Sequence, residues 1–288
     1  MSGVKFFNLA YFLLPHIELL YLFFKKFLNM KKVVVIGDIH ASKIWKDILQ
    51  QETDCDKVIF LGDYFDTYEE ISPQEEADNF RQILKYKEDN KDKEIIILLG
   101  NHDIHYLPVI DETYTSGFNP IKKVVLNDML SNWKDIFKIC HNEGRFTFSH
   151  AGISSVFCDK VLEEWDENNV YDKLNQLFID SPYKFLFNPR CRDPYGDNMV
   201  QSPIWIRPYS LKVANKDTVL ENRVQVIGHT NIMSSMFPDD CRHSLKKDFS
   251  IQIGEKGGYI YNDSLSKKRY VIIDLDTNLV ESKYVLPE

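Results

Sequence analysis

With 288 residues the chain is long enough to bury a substantial core, either as one large α/β domain or as a domain carrying insertions. Its net charge of -8 and pI near 5.5 exclude bulk electrostatic attraction to duplex nucleic acid, so no long nucleic acid is expected as a partner. Metal ions can still let an acidic chain bind phosphate. Five scattered cysteines (Cys55, Cys140, Cys158, Cys191, Cys241) contain no Cys-x-x-Cys pair. They argue against a disulfide framework and a structural zinc site, and for a reducing, cytoplasmic location.

Residues 1–29 differ from the rest. Phe6 to Phe24 is dominated by Phe and Leu and is long enough for a membrane span, but Asn8, Pro15, His16 and Glu18 interrupt it. Strong apolar residues contribute roughly -0.3 to -0.6 kcal/mol each to insertion, and the polar interruptions cancel much of that. No small-residue cleavage site follows, which argues against a signal peptide. Met30-Lys31-Lys32 runs straight into the first strand and reads as a natural start. Residues 1–29 are therefore an upstream translation start or loose appendage, an interfacial helix, or a weak anchor, and membrane contact is expected only in the last two cases. The catalytic domain is residues 30–288.

Val33 to Ile36, four β-branched residues, predict a strand buried on both faces, and Gly37 lets the backbone turn behind it. Asp38 and His40 are thereby delivered to a strand's carboxyl end, where open α/β sheets bind ligands. An oxygen donor two residues from an imidazole suits a borderline metal ion, although an Asp there also serves simply to cap a turn. Ser42 to Gln51 has helical spacing at Ile44, Ile48 and Leu49. Val58 to Leu61 is a second strand running into Gly62-Asp63-Tyr64-Phe65-Asp66. Ser72-Pro73-Gln74-Glu75 is a capping box with Pro at the first helical position, opening a helix to about Lys87. Ile95 to Leu99 is the third strand and ends in Gly100-Asn101-His102-Asp103. Three strands, each followed by Gly and then a metal-capable side chain, are hard to explain as three independent turns.

Asp111 to Pro120 is turn-rich, and Val124 to Phe137 predicts one amphipathic helix. Lys138 to Cys140 and Arg145 to Phe148 flank His141-Asn142-Glu143-Gly144 as a hairpin whose second strand ends in Ser149-His150-Ala151-Gly152. Helices are predicted over Val156 to Trp165 and Asn169 to Ile179, followed by a loop region from Ser181 to Pro208. Val224 to Ile227 is a strand ending in Gly228-His229-Thr230. The tail is β-rich: Tyr259 to Tyr261, then Tyr270 to Leu275 and Val280 to Tyr284 as a closing hairpin. No internal repeat or low-complexity linker divides the chain.

Together, Gly37-Asp38-Ile39-His40, Gly62-Asp63-Tyr64-Phe65-Asp66, Gly100-Asn101-His102-Asp103, Ser149-His150-Ala151-Gly152 and Gly228-His229-Thr230 resemble the five ordered motifs of the calcineurin-like metallophosphoesterases. The resemblance covers Val33 to about Asn231. It is nearest to the branch of serine/threonine protein phosphatases and their bacterial and phage relatives, which includes the symmetrical dinucleoside tetraphosphatases. Asp66 falls three residues after Asp63, as in that branch, and the fifth motif is of its short Gly-His-Thr type.

The resemblance implies an α/β fold, a two-sheet β-sandwich flanked by helices with a dinuclear metal site at the strand ends. It assigns Asp38 and His40, with Asp63, to one metal. Asp63 bridges to a second metal held by Asn101, His150 and His229. The donor set suits Mn, with Fe or Zn as the other candidates. His102 becomes the acid that protonates the leaving group, oriented by Asp66, and a metal-bridging hydroxide attacks the phosphoryl group.

Two departures stand out. The Arg-Gly expected after Asp66 is Thr67-Tyr68, and Ile104-His105-Tyr106 stands where an Arg is expected after His102. Ser202-Pro203-Ile204-Trp205-Ile206-Arg207 resembles the branch's Trp-containing segment. Arg207 is therefore the first candidate for a phosphate contact, ahead of Arg190 and Arg192, and the plain alternative for each is a solvated surface Arg. Trp205 and Tyr209 are candidates to wall a substrate cleft. His105 reads as a rim residue, and His16, His141 and His243 as surface or core. The expected activity is phosphomonoester hydrolysis, led by phosphoserine and phosphothreonine in proteins or by a small phosphoester. Hydrolysis of a dinucleoside polyphosphate, a nucleotide or a nucleic-acid end is the alternative. An inactive scaffold would lack ligands or the acid, and here all are present.

Overall fold

The computed structural model describes residues 31–111, 117–188, 198–231 and 251–286. Expectations that fall on residues 1–29, Arg190, Arg192, Cys191, Cys241, His16 and His243 lie outside these. Among the described residues, ten strands form two five-stranded sheets. The first has the order β10-β9-β1-β2-β3, built from β1 (Lys32–Ile36), β2 (Lys57–Phe60), β3 (Glu94–Ile97), β9 (Arg269–Asp274) and β10 (Val280–Tyr284). The second has the order β4-β5-β6-β8-β7, from β4 (Cys140–Glu143), β5 (Phe146–Ser149), β6 (Val224–Ile227), β7 (Ile251–Ile253) and β8 (Gly258–Tyr261). Strands β1, β2 and β3 run parallel, as do β5, β6 and β8, so the loops after them leave from carboxyl ends.

The apolar runs are continuous because these strands are covered on both faces, and their residues divide by parity. Val33, Val35, Ile59, Leu61, Ile96, Leu98, Val271 and Ile273 pack between the sheets against Phe146, Phe148, Val224, Val226 and Ile260. The alternate residues Val34, Ile36, Val58, Phe60, Ile95 and Ile97 belong to a larger core on the helix side. That core includes Trp45, Ile48 and Leu49 from α1 (Ile44–Gln51) and Ala77, Phe80 and Ile83 from α2 (Pro73–Asp89). Ser72 caps α2 through the reciprocal box with Glu75.

Between the sheets' strands lie α3 (Pro120–Leu126), α4 (Trp133–Ile136), α5 (Ser155–Val161), α6 (Val170–Asp180) and α7 (Pro208–Asn215). Two sequence expectations are corrected here. The single helix over Val124 to Phe137 is two short ones, because Leu126, Leu130 and Trp133 all turn into the core and the intervening residues form turns. The first hairpin strand runs closer to the turn than expected and the second begins one residue later, with Cys140 paired to Ser149 and Glu143 to Phe146 around Gly144. The stretch after Arg207 is helical. Pro208 at its first position is a start signal, and Leu211 packs on Ala151, Ile206, Ile227 and Tyr261. Strand β7 is an addition at the sheet edge. Among the described residues no helix is long and apolar enough to cross a membrane.

Candidate metal centre

The loops after β1, β2, β3, β5 and β6 meet at one edge of the sandwich. His150, directly after β5, reaches the first sheet through Nδ1, 2.9 Å from the Leu61 carbonyl oxygen. The His229 backbone N–H, after β6, donates to the Asp38 carboxylate at 2.9 Å. These contacts join the ends of the two sheets. The backbone is unusual where they meet, with positive φ at His40 (41°), Asp63 (53°), Asp66 (62°) and His229 (60°). Non-glycine residues in this region are uncommon and cluster at functional sites.

Glycines allow the close approach. A Cβ on Gly100 would lie 2.1 Å from Asp63 Oδ1, and one on Gly228 would lie 2.0 Å from Asp38 Oδ1. The Gly of the Gly-Asn and Gly-His motifs is thus a steric requirement of a carboxylate that arrives from another loop.

Each histidine has one ring nitrogen against a carbonyl oxygen. His40 Nδ1 faces Phe65 O at 3.1 Å, His150 Nδ1 faces Leu61 O, and His229 Nε2 faces Trp205 O at 3.1 Å. A carbonyl only accepts, so those nitrogens carry the proton and the opposite nitrogens present lone pairs. His150 Nε2 then sits 2.9 Å from Asn101 Oδ1 and 3.4 Å from Asp63 Oδ2, and His40 Nε2 sits 3.7 Å from the same Asp63 oxygen. Such a convergence of acceptors repels itself unless a cation or a proton satisfies it. Two overlapping groups have ligand atoms within 4.8 Å of one another, Asp38 with His40 and Asp63, and Asp63 with His150 and His229. Asp63 is common to both. The residues present therefore fit divalent metal ions by chemistry and by placement.

The electrostatics agree. Burial opposes a charge on His150, but Asp63 and Asp38 outweigh it and push the imidazole up to about 9, so in the absence of metal a proton takes the cation's place. Burial would raise Asp63, yet His150 beside it holds the carboxyl well below the usual range. Burial and the neighbouring Asp263 push Asp38 well up, while burial and the Arg207 charge keep His229 neutral.

Beside this pocket, His102 Nδ1 lies 3.0 Å from Asp66 Oδ2, and its ring stands edge to face with His40 at 5.2 Å. Burial opposes protonation of His102, but the Asp66 hydrogen bond and the Asp63 charge raise it to about 9. Three further partners of Asp66 carry no motif signal. His105 Nε2 bonds Asp66 Oδ2 at 3.0 Å, the Tyr106 hydroxyl donates to Oδ1, and Lys122 Nζ donates to Oδ1 at 2.6 Å. The rim expectation for His105 is corrected, since it is 1% exposed and turned inward to this carboxylate. Burial would raise Asp66, but these four donors hold it far below the ordinary carboxyl range. Asp103 also goes unassigned by the motifs, although it is the last residue of the third. Its buried carboxylate accepts the backbone N–H groups of Asp63, Tyr64 and Gly100 at 2.7 to 2.8 Å and so fixes the turn carrying Asp63.

Arg207 is half-buried and donates through Nη1 to His229 O and Thr230 Oγ1, both at 3.0 Å, so it braces the fifth motif. Trp205 stands edge to face with the His229 ring at 6.1 Å. Tyr209 lines a different pocket with Lys212, Gln252 and Tyr259, which corrects its expected place beside the cleft.

The profile of the calcineurin-like phosphoesterase family matches residues 31–233. No curated protein sequence matches the chain. Among solved structures, the chain resembles a cold-active protein-tyrosine phosphatase of a psychrophilic Shewanella (TM-score 0.52, 17% identity, covering 88% of this chain and 80% of that one). It also matches a metallophosphoesterase from Sphaerobacter thermophilus (TM-score 0.47, 16% identity, 89% of each chain). A protein serine/threonine phosphatase from Saccharomyces cerevisiae aligns with TM-score 0.46 at 11% identity over 90% of this chain and 81% of that one. The matched span runs from the start of the first core strand to just beyond the fifth motif, and on that match the chain belongs to the calcineurin-like phosphoesterases.

Proposed function

We propose that this metallophosphoesterase hydrolyses phosphomonoesters of alcohols, with phosphoserine and phosphothreonine in proteins as its substrate class. The observation that carries the reading is the pairing of the partly exposed His102 with the buried Asp66, 3.0 Å apart beside the acceptor-lined pocket. A serine or threonine alkoxide is a poor leaving group and needs a proton as its bond to phosphorus breaks. A phosphoanhydride leaves as a stabilised phosphate and needs that proton far less.

Asp38, His40 and Asp63 would hold one divalent ion, and Asp63, Asn101, His150 and His229 the second, Mn being the first choice and Fe or Zn the others. When bound, such a pair supplies positive charge for the phosphoryl oxygens and acidifies water near neutral pH. The chain's own residues do the rest. Carbonyls of Phe65, Leu61 and Trp205 fix the ring orientations of the three metal-facing histidines. Asp66 holds the Nδ1 proton of His102, which leaves Nε2 to carry a proton to the departing oxygen. An open pocket of about 350 Å³ lies beside His102, lined in part by Thr67, Tyr68, Ile71, Pro73 and Asn119, and gives the leaving alcohol and its flanking residues a place. The Tyr68 side chain is 90% exposed and lies 5.7 Å from the His40 ring, on the path into that space.

The test is turnover by the Mn-loaded protein of a phosphoserine peptide, a phosphotyrosine peptide, a dinucleoside tetraphosphate and a 5'-phosphorylated oligonucleotide, with Asp63→Asn as the blank. Preferred hydrolysis of the phosphoserine peptide is the expected result. Preferred cleavage of the dinucleoside tetraphosphate would overturn the reading in favour of an anhydride hydrolase. His102→Asn is expected to lower kcat on the alkyl ester by roughly 10² to 10⁴, about 3 to 5 kcal/mol, with metal content unchanged.

A further inference from the structure

The acid pair is embedded in a buried network that ends on a helix from another part of the chain. Lys122, on α3, is 5% exposed, and its ammonium donates to Asp66 Oδ1 at 2.6 Å and to Glu76 Oε2 at 2.9 Å. Glu76, on α2 and also buried, accepts the Asp66 backbone N–H at 3.0 Å through the same oxygen. Asp66 is thus closed into a ring by its backbone and its side chain through one Lys–Glu pair. This is the residue with φ of 62°, a conformation that persists only when the surroundings over-determine it. The N-terminus of α3 adds a second tie. The Asn119 N–H donates to the Tyr106 hydroxyl, which donates to Asp66. Both oxygens of the carboxylate are filled, Oδ1 by Lys122 and Tyr106 and Oδ2 by His102 and His105, so its plane cannot turn without breaking several bonds.

Resting on the acid role of His102 given above, we propose that Lys122 is a positioning residue for leaving-group protonation, holding the Asp66 carboxylate in the plane that orients His102. The motif pattern expects an Arg directly after Asp66, and Thr67 stands there. The cation that anchors Asp66 comes instead from α3, 56 residues along the chain. Its ammonium bonds Oδ1 of Asp66 while His102 bonds Oδ2, so it acts through the carboxylate.

The test uses the full Mn-loaded chain and two small phosphomonoesters, glycerol 2-phosphate with an alkoxide leaving group and p-nitrophenyl phosphate with a good one, so it does not depend on the protein substrate. Lys122→Met is expected to lower kcat on glycerol 2-phosphate about 10-fold more than on p-nitrophenyl phosphate, with KM and metal content unchanged. In a His102→Asn background the same substitution is expected to add less than about 3-fold, because both changes interrupt one path. Should Lys122→Met not fold, Lys122→Gln, which keeps a donor toward Asp66 and removes the charge, is expected to show the same bias at smaller amplitude. The His102 ring ¹⁵N signals provide a readout independent of turnover, with the Nδ1–H bond to Asp66 weakened in the variant. Equal losses on the two esters, or fully additive losses in the double variant, overturn the proposal. Unchanged alkyl-ester turnover in His102→Asn alone removes the acid reading and this proposal together. A loss there with an unbiased Lys122 variant overturns this proposal alone.

Discussion

At the scale of single residues, the site is governed by how closely polar atoms from different loops approach. Gly228 has no room for a side chain, since its Cβ would fall 2.0 Å from an Asp38 carboxylate oxygen. Gly228→Ala is expected to displace that carboxylate, cutting metal affinity by about 10- to 100-fold while the chain stays folded. Metal content after dialysis, measured beside circular dichroism, checks this, and retention of both metals would refute it. Gly144 is the matched control, with a φ of 55° and no atom within 4 Å of the place a Cβ would take. Gly144→Ala is expected to lose about 1 kcal/mol of stability from backbone strain alone, with metal content unaffected.

At the scale of elements, the end of the sandwich remote from the candidate metal centre is tied by Glu52, which caps α1 at its C-terminus. Its carboxylate accepts from Tyr270 at 2.7 Å on β9 and pairs with Lys32 on β1 and Lys283 on β10. Burial would raise Glu52, but the hydrogen bonds from Lys32, Tyr270 and Lys283 outweigh it, so its folded pKa lies below the ordinary 4.5. A depressed carboxyl contributes stability that is fully present above the unfolded value and is lost as pH falls through the folded one. Glu52→Gln is therefore expected to lower stability by about 1 to 3 kcal/mol at pH 7. The gap to the wild type should narrow as pH drops below 4.5. Urea unfolding of both proteins across pH 3 to 7 checks this, and a gap of constant size would count against it.

At the scale of the molecule, the candidate metal ligands come from both sheets, Asp38, His40, Asp63 and Asn101 from one and His150 and His229 from the other. A cation held among them links the sheets and binds only the folded chain, so it should stabilise the whole domain. Mn(II) at 100 times its dissociation constant is expected to add about 2.7 kcal/mol. Thermal unfolding with and without chelator measures this, and Asp63→Asn should abolish most of the difference. An equal melting temperature in both conditions would refute the linkage.

Strands β1, β2, β3 and β6, the capped start of α2 and the five loops that carry the site are all legible along the chain. Their signals are local: apolar runs covered on both faces, a glycine at each turn, and a carboxylate, amide or imidazole next to it. The separation of Asp66 and His102 from the candidate metal ligands comes from the motifs' resemblance to the family's and not from any local signal. What surrounds those two residues is legible only in three dimensions. His105 passes for a rim residue because nothing in its neighbourhood along the chain reveals a carboxylate 39 positions earlier. Lys122 has no signal at all, being one of several lysines in its region, and its role follows from packing α3 against α2. The break in the helix after Leu126 and the start of α7 are likewise settled by which faces the core can cover. Periodicity and motif spacing report what neighbouring residues impose on the backbone. Hydrogen bonds between groups far apart in sequence depend on where the sheets and helices bring those groups, and that is fixed only when the fold closes.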